Sequence, residues 1–385
     1  MTLINGKIYT CKDEEIIENG FIKIKDGIIE KIGDMKDYIK ETEEIDLSGM
    51  LIFPGFIDAH CHIGMWEDGM DFEGDDGNED TDPCTPHLRG IDGINPLDRC
   101  FEEALEGGVT TVVTGPGSAN PIGGTFSILK TGKWSNIDDM IFKSDISMKM
   151  ALGENPKRTY NGKDQAPKTR MATMAIIREA LKKAIDYKEK IDKYNMGEEE
   201  DRPDVDVKSE ALIPVLERKI PLHIHAHRAD DIYSALRIKN EFNVDVKLVH
   251  CTEGYMISDV LKNAGVDIFA GPNLCDRSKI ELRNSTCENP VILNNCNLNV
   301  SIITDHPVTP IQFLPVCAGL AMRGGMSYYD AIKSITINPA KALNIDDRLG
   351  SLEVGKDADI VVFKNDPFDI KNMAEYVFIK GKRAR

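Results

Sequence analysis

Apolar and polar residues alternate over the first fifty positions, in runs such as LINGKIYT and GFIKIKDGIIEKIG broken by Gly and Asp turns. A repeat of two puts successive side chains on opposite faces of a strand, so this pattern predicts short antiparallel strands. The same texture returns near the C-terminus in ADIVVFKN and AEYVFIKGKR. Between these ends the pattern changes. Apolar runs at 108–115, 145–153, 220–227, 245–251, 267–271 and 299–305 read as buried strands, with helical stretches such as 171–191 between them. Repeated strand-then-helix units predict a parallel sheet, and this many units predict a closed barrel. The expected organisation is α/β, with one small sheet domain built from both termini and a barrel between them.

Length and composition fit that architecture: 385 residues, of which 41% are hydrophobic and 29% charged, can bury a large core. Charge narrows the partners. Lys and Arg number 47 against 64 Asp and Glu, a net −17, which argues against nucleic acid or an anionic membrane as partner. A small-molecule substrate is expected instead, with self-association into a homo-oligomer. The nine cysteines form no C-x-x-C, and the first residues lack the basic-then-apolar run of a signal peptide. No apolar stretch approaches the roughly 20 residues of a membrane helix. A cytoplasmic location is expected.

A barrel of this kind carries its active site at the C-terminal ends of its strands, so the residues there are the ones to read. The first strand is LIFPGFIDAHCHIG. His60 and His62 lie two apart and leave the same face, where two imidazoles can share one divalent ion. The run 245–251 carries His250 near its end, and 299–305 ends on Asp305, followed by His306. The run IPLHIHAH puts His223, His225 and His227 on one face. Same-face neighbours are ~6.6 Å apart along a strand, so one ion cannot bind both outer histidines. The depths differ. His223 is expected to be a neutral, hydrogen-bonded core imidazole, His225 a ligand level with the strand ends, and His227 a substrate contact at the loop.

These residues, with GGVTTVV at the second strand, TDHP at the eighth and the tail TINPAKALNIDDRLGSLEVGKDADIVVF, resemble the amidohydrolase superfamily. The likeness runs nearly the whole chain, is closest to its imidazolonepropionase-like and prolidase-like branch, and implies a (β/α)8 TIM-like barrel over 53–344 with a small β-sandwich domain formed from both termini, 1–52 plus 345–385. It implies a divalent metal, Zn foremost with Mn or Fe as alternatives, in one or two copies. It implies His60 and His62 on the first ion, His225 and His250 serving a second ion or polarising substrate, and Asp305 as ligand and general base. A divalent ion lowers the pKa of bound water to roughly 7, and a nearby carboxylate can shuttle the proton. In many members a lysine or glutamate of the fourth strand bridges two metals. Here Lys149 and Glu154 compete. With the strand read to residue 153, Glu154 lies at its end and Lys149 lies ~15 Å upstream, so Glu154 is the expected ligand.

The long acidic insertion 65–96 follows the metal-binding strand and reads as a lid or specificity segment, with His87 and Arg89 as substrate contacts. Arg228, beside His227, is another, because a guanidinium fork suits a carboxylate. The Gly-rich stretch 114–124 fits neither a dinucleotide fingerprint nor a P-loop and reads as a shaped loop. The expected activity is metal-dependent hydrolysis of an amide-type C–N bond, linear or cyclic, including a prolidase-like dipeptidase. The alternatives are a mononuclear deaminase and a non-catalytic assembly protein on the same barrel.

Overall fold

The alternation at the N-terminus becomes five strands, β1 (Thr2–Tyr9), β2 (Ile16–Lys25), β3 (Ile28–Asp34), β4 (Glu44–Asp46) and β5 (Leu51–Pro54), in a computed structural model that describes residues 1–40 and 42–385. Eight further strands form the barrel: β6 (Phe56–Cys61), β7 (Val109–Thr114), β8 (Ile122–Lys130), β9 (Ile141–Ala151), β10 (Leu222–Ala226), β11 (Val246–His250), β12 (Asp267–Ala270) and β13 (Val300–Ile302). The chain then returns as β14 (Ile360–Phe363), β15 (Ala374–Ile379) and β16 (Lys382–Arg383), which extend the N-terminal sheet. That sheet has the order β16-β15-β14-β5-β1-β2-β3, with β4 paired to β1. The apolar members of its alternation, Leu3, Ile8, Ile22, Ile52, Ile360 and Phe378 among them, pack into one buried cluster. Removal of that apolar area from water is what holds the two chain ends together.

The barrel strands neighbour one another in chain order from β6 to β13. All pairs are parallel except those made by β8, which runs antiparallel to both β7 and β9. The connection explains the reversal. Only residues 115–121 separate β7 from β8, too few for the crossover a parallel neighbour needs. The sequence reading put a shaped loop over 114–124 and named its next strand at 145–153. The structure instead starts β8 at Ile122, with all nine of its residues buried. The long helix read over 171–191 is present as Arg170–Asn195, with the Thr169 side chain capping its first turn.

No ladder pairing joins β13 to β6 among the described residues. Other hydrogen bonds close that seam. Asp58 on β6 accepts from the Thr304 N–H at 3.1 Å and from the Thr304 hydroxyl. The Asp305 N–H donates to the His60 carbonyl at 3.3 Å, and the His62 N–H donates to the His306 carbonyl at 2.8 Å. The seam therefore presses the first strand's histidines against the eighth strand's aspartate. No helix among the described residues is long and apolar enough to cross a membrane.

Candidate metal centre

Two groups of ligand atoms meet at the C-terminal ends of the barrel strands, each within 4.8 Å internally: His60, His62 and Asp305, and His225, His227 and His250. In the first group His62 Nε2 lies 3.2 Å and His60 Nε2 3.7 Å from Asp305 Oδ1. The His62 Nδ1–H donates to the Gly115 carbonyl at 2.7 Å, and the His250 Nδ1–H donates to the Gly271 carbonyl at 2.7 Å. Each such bond fixes the tautomer and turns a bare Nε2 inward, the arrangement that metal-bound imidazoles use. The Nε2 atoms of His225 and His227 and Asp305 Oδ1 are buried without a hydrogen-bond partner among the described residues. Orphaned buried acceptors are costly, and a cation is the partner that fits this donor set.

The charges suit the same purpose. Burial holds His60, His225 and His227 well below the ordinary histidine range and lowers His250 to about 4, so the rings are neutral ligands at pH 7. Burial works to raise Asp305, but the neighbouring His250, His62 and Lys149 prevail and hold it well below the usual carboxylate range. The backbone is strained at the same places: His250 has φ 70° and Asp305 φ 52°, left-handed values that non-glycine residues rarely adopt. Strain of this kind persists where surrounding contacts over-determine the geometry, as at functional sites.

At the fourth strand the structure brings Lys149, not Glu154, beside His60. The strand β9 ends at Ala151, earlier than the run to 153 suggested, and Lys149 pairs in register with His223. Lys149 is fully buried, and its long stem carries Nζ to 3.2 Å from His60 Nε2. Burial lowers its ammonium to about 7, despite the pull of Asp305. Glu154 starts the helix Glu154–Gly162 beyond the strand, its Oε1 turned to Arg158 at 3.9 Å, and it belongs to neither ligand group. Backbone rise alone misplaced the lysine, because its side chain reaches further than a strand residue or two.

The other expected residues separate. His223 is fully buried, but neither ring nitrogen has a partner, so it is a core imidazole without the hydrogen bond expected of it. The His227 ring stacks on His250 with centroids 4.3 Å apart. Arg228 forks onto Asp230 at 2.9 Å, and Arg89 pairs with Asp145 at 3.1 Å. His87 is exposed. The opening above His62 and Asp305, about 350 Å³, is lined instead by Trp66, Asn78, Ser118, Asn155, Arg158 and Lys279. Arg228, Arg89 and His87 do not line that opening. The insertion 65–96 does reach the site, through Trp66, which meets the His62 ring edge-on at 5.1 Å. Residues the sequence reading missed are Asp58, Lys279 and Glu281. Asp58 shares the face of His60 and His62 two residues earlier, a usable signal; Glu281 sits in an irregular segment whose pattern marks nothing.

A family profile described as "Amidohydrolase family" matches residues 51–384. The chain belongs to this family. Its relatives support the assignment over the whole barrel. The solved amidohydrolase of Thermotoga maritima MSB8 is 41% identical and superposes with a TM-score of 0.95, covering 99% of this chain and 98% of that one. The imidazolonepropionase of Fusobacterium nucleatum is 26% identical over 414 residues, 95% of this chain and 89% of its own. Amidohydrolase tasK of Hapsidospora irregularis is 28% identical over 390 residues, which is 94% of this chain but 39% of that protein. The chain thus spans well under half of that last relative. As an amidohydrolase-family member it carries a metal-dependent hydrolase barrel with ligand groups able to hold a metal.

Proposed function

We propose that this amidohydrolase-family chain hydrolyses an amide-type C–N bond of a small, anionic substrate, using His60, His62, Lys149 and Asp305 as the core of its centre. The observation that carries the reading is the convergence of these four buried or nearly buried side chains, from three different strand ends, around unpartnered ligand atoms. A divalent cation there, with Zn the foremost candidate and Mn or Fe fitting the same donors, supplies Lewis acidity for a carbonyl and lowers the pKa of water. Asp305, held ionised, takes the proton of the attacking water and returns it to the departing nitrogen. Its Oδ1 lies within 3.2 Å of His62, so the proton is handled at a position fixed by the barrel seam. His250 faces Asp305 Oδ2 at 4.0 Å, in place to polarise the scissile carbonyl. Lys149, with Nζ 3.2 Å from His60 Nε2, would serve as a ligand if its neutral amine added CO2 and released a proton to become a carbamate. That placement favours the hydrolase over a mononuclear deaminase.

Arg158 and Lys279 give the opening two cations, which supports a substrate carboxylate as found on N-acyl amino acids, dipeptides and ring-opened or cyclic amides. The experiment is metal analysis of purified protein followed by a screen of those three substrate classes. Hydrolysis that EDTA abolishes and Zn, Mn or Fe restores is the expected result. Protein that binds no divalent ion and gains nothing on reconstitution is no metallohydrolase.

A further inference from the structure

Trp66 borders the opening above the centre but has no part in the hydrolytic scheme. Two glycines from separate segments make room for its indole. A Cβ on Gly77 would stand 2.0, 2.2 and 2.3 Å from Trp66 Cζ2, Cη2 and Cε2, and one on Gly117 would stand 2.7 Å from Cη2. Near-equal distances to three successive ring carbons put Gly77 over the face of the indole, not at its rim. The Gly117 N–H donates to the Gly77 carbonyl at 2.7 Å, so the two glycines hold each other. The Asp76 N–H donates to the Met65 carbonyl and the Glu67 N–H to the Gly74 carbonyl, both at 2.9 Å, which closes a hairpin around Trp66. Asn78 Oδ1 accepts the Ala119 N–H at 3.0 Å, and Asn120 Nδ2 donates to the Glu79 carbonyl at 2.8 Å. These bonds tie the insertion to the loop after β7 and fix the indole as a wall of the opening.

We propose that Trp66 is a specificity-determining residue, the platform for an aromatic acyl group on the substrate. Lys279 lies on the His225 side of the opening, 3.2 Å from Glu281 Oε1, which stands 3.7 Å from His225 Nε2. Trp66 lies on the His62 side, its ring edge-on to that imidazole at 5.1 Å. A substrate whose carboxylate is held at Lys279 and whose scissile carbonyl reaches Asp305 therefore presents its acyl group toward Trp66. Gly77 covers one face of the indole, and the half-buried ring keeps surface free for a ligand. Pro307 and Val308 add apolar surface to the same opening. Aromatic pairs in offset-stacked or edge-to-face contact gain more than their buried area alone gives, so an aryl group is favoured there over a methyl. The inference rests on the hydrolase reading and narrows its substrate to N-acyl amino acids with an aromatic acyl group.

The test joins ligand binding to turnover in full-length, Zn-loaded protein. The chain has two tryptophans, and Trp134 donates to the Thr131 carbonyl at 2.8 Å near the start of β7, at the barrel end away from the site. Trp134→Phe therefore leaves Trp66 as the sole indole reporter. Benzoate should quench its fluorescence and bind about tenfold or more tighter than acetate. Calorimetry on Trp66→Ala should show the two acids binding alike. N-benzoylglycine should be hydrolysed with kcat/KM about tenfold or more above N-acetylglycine. That gap should reside in KM and close in Trp66→Ala while bound metal stays unchanged. Gly77→Ala keeps the tryptophan but displaces its ring and should close the gap too; it serves if circular dichroism shows Trp66→Ala unfolded. Benzoate that binds no tighter than acetate, or not at all, overturns the proposal, as does a preference that survives in both variants. Hydrolysis of C–N substrates with no aromatic preference removes the platform and leaves the hydrolase reading intact. A Trp66-dependent preference for benzoate without hydrolysis of any C–N substrate fails the hydrolase reading alone.

Discussion

His223 carries an imidazole on the barrel axis between Phe126 and Phe269, with ring centroids 5.6 and 5.1 Å away and no hydrogen bond on either nitrogen. Burial, then the positive Lys247 and Lys149, push its pKa well below the ordinary value. An unfolded histidine titrates near 6.5, so as pH falls through that value the unfolded chain takes up a proton the folded one refuses. Folding stability is therefore lost on acidification below pH 6.5, at about 1.4 kcal/mol per pH unit for each such group. His223→Leu removes this penalty and sacrifices no hydrogen bond. Urea melts of metal-free protein should show the variant gaining on wild type as pH drops from 7.5 to 5.5. A difference that stays constant with pH would mean that His223 is protonated alike in both states. Asp305→Asn belongs to the same scale: the variant should fold and lose turnover by about a hundredfold or more, in keeping with loss of a positioned acid–base group. Full turnover in that variant removes Asp305 from the proton-transfer role.

At the scale of elements, the seam between β6 and β13 depends on side chains where other strand pairs use backbone ladders. Asp58→Ala strips Thr304 of a buried acceptor for both its N–H and its hydroxyl, at a cost of about 1–3 kcal/mol for the unsatisfied groups. The thermal midpoint should fall and metal affinity should fall with it, because the seam sets His60 and His62 against Asp305. A variant with lowered stability and wild-type metal affinity would show the seam to be structural only. Much of this was legible beforehand: β6, β7, β10, β11, β12 and β13 sit on the apolar runs the sequence shows, because buried parallel strands are continuously apolar. The reversed β8 was hidden, since its partner pairing is decided by a short connection and not by its own residues. The convergence of His60, His62, His225, His250 and Asp305 was legible because each closes a strand. The site was obscured where side-chain reach or an irregular loop decides, as at Lys149 and Glu281.

Over the whole molecule, the sheet made from the chain ends is pinned to the barrel by a buried charge pair. Lys130, at the end of β8, forms an ion pair with Asp359 just before β14, both side chains at most 4% exposed. Thr111 of β7 accepts a second hydrogen bond from Lys130 at 2.9 Å, and the Lys380 N–H donates to Asp359 at 2.8 Å. Phe53, Phe56 and Phe363 also meet across this junction, with Phe56 and Phe363 stacked at 5.8 Å. Burying two charges is expensive, so the pair adds little net stability, while breaking it strands one charge in the junction. Lys130→Met should therefore destabilise by about 3–5 kcal/mol, and adding Asp359→Asn should restore much of the loss. The mode of unfolding is the sharper readout. With the sheet and barrel sharing a core, the single variant should still melt in one transition at lower temperature by calorimetry. Two resolved transitions in Lys130→Met, with one in wild type, would show that the terminal sheet folds on its own and that this pair alone couples it to the barrel.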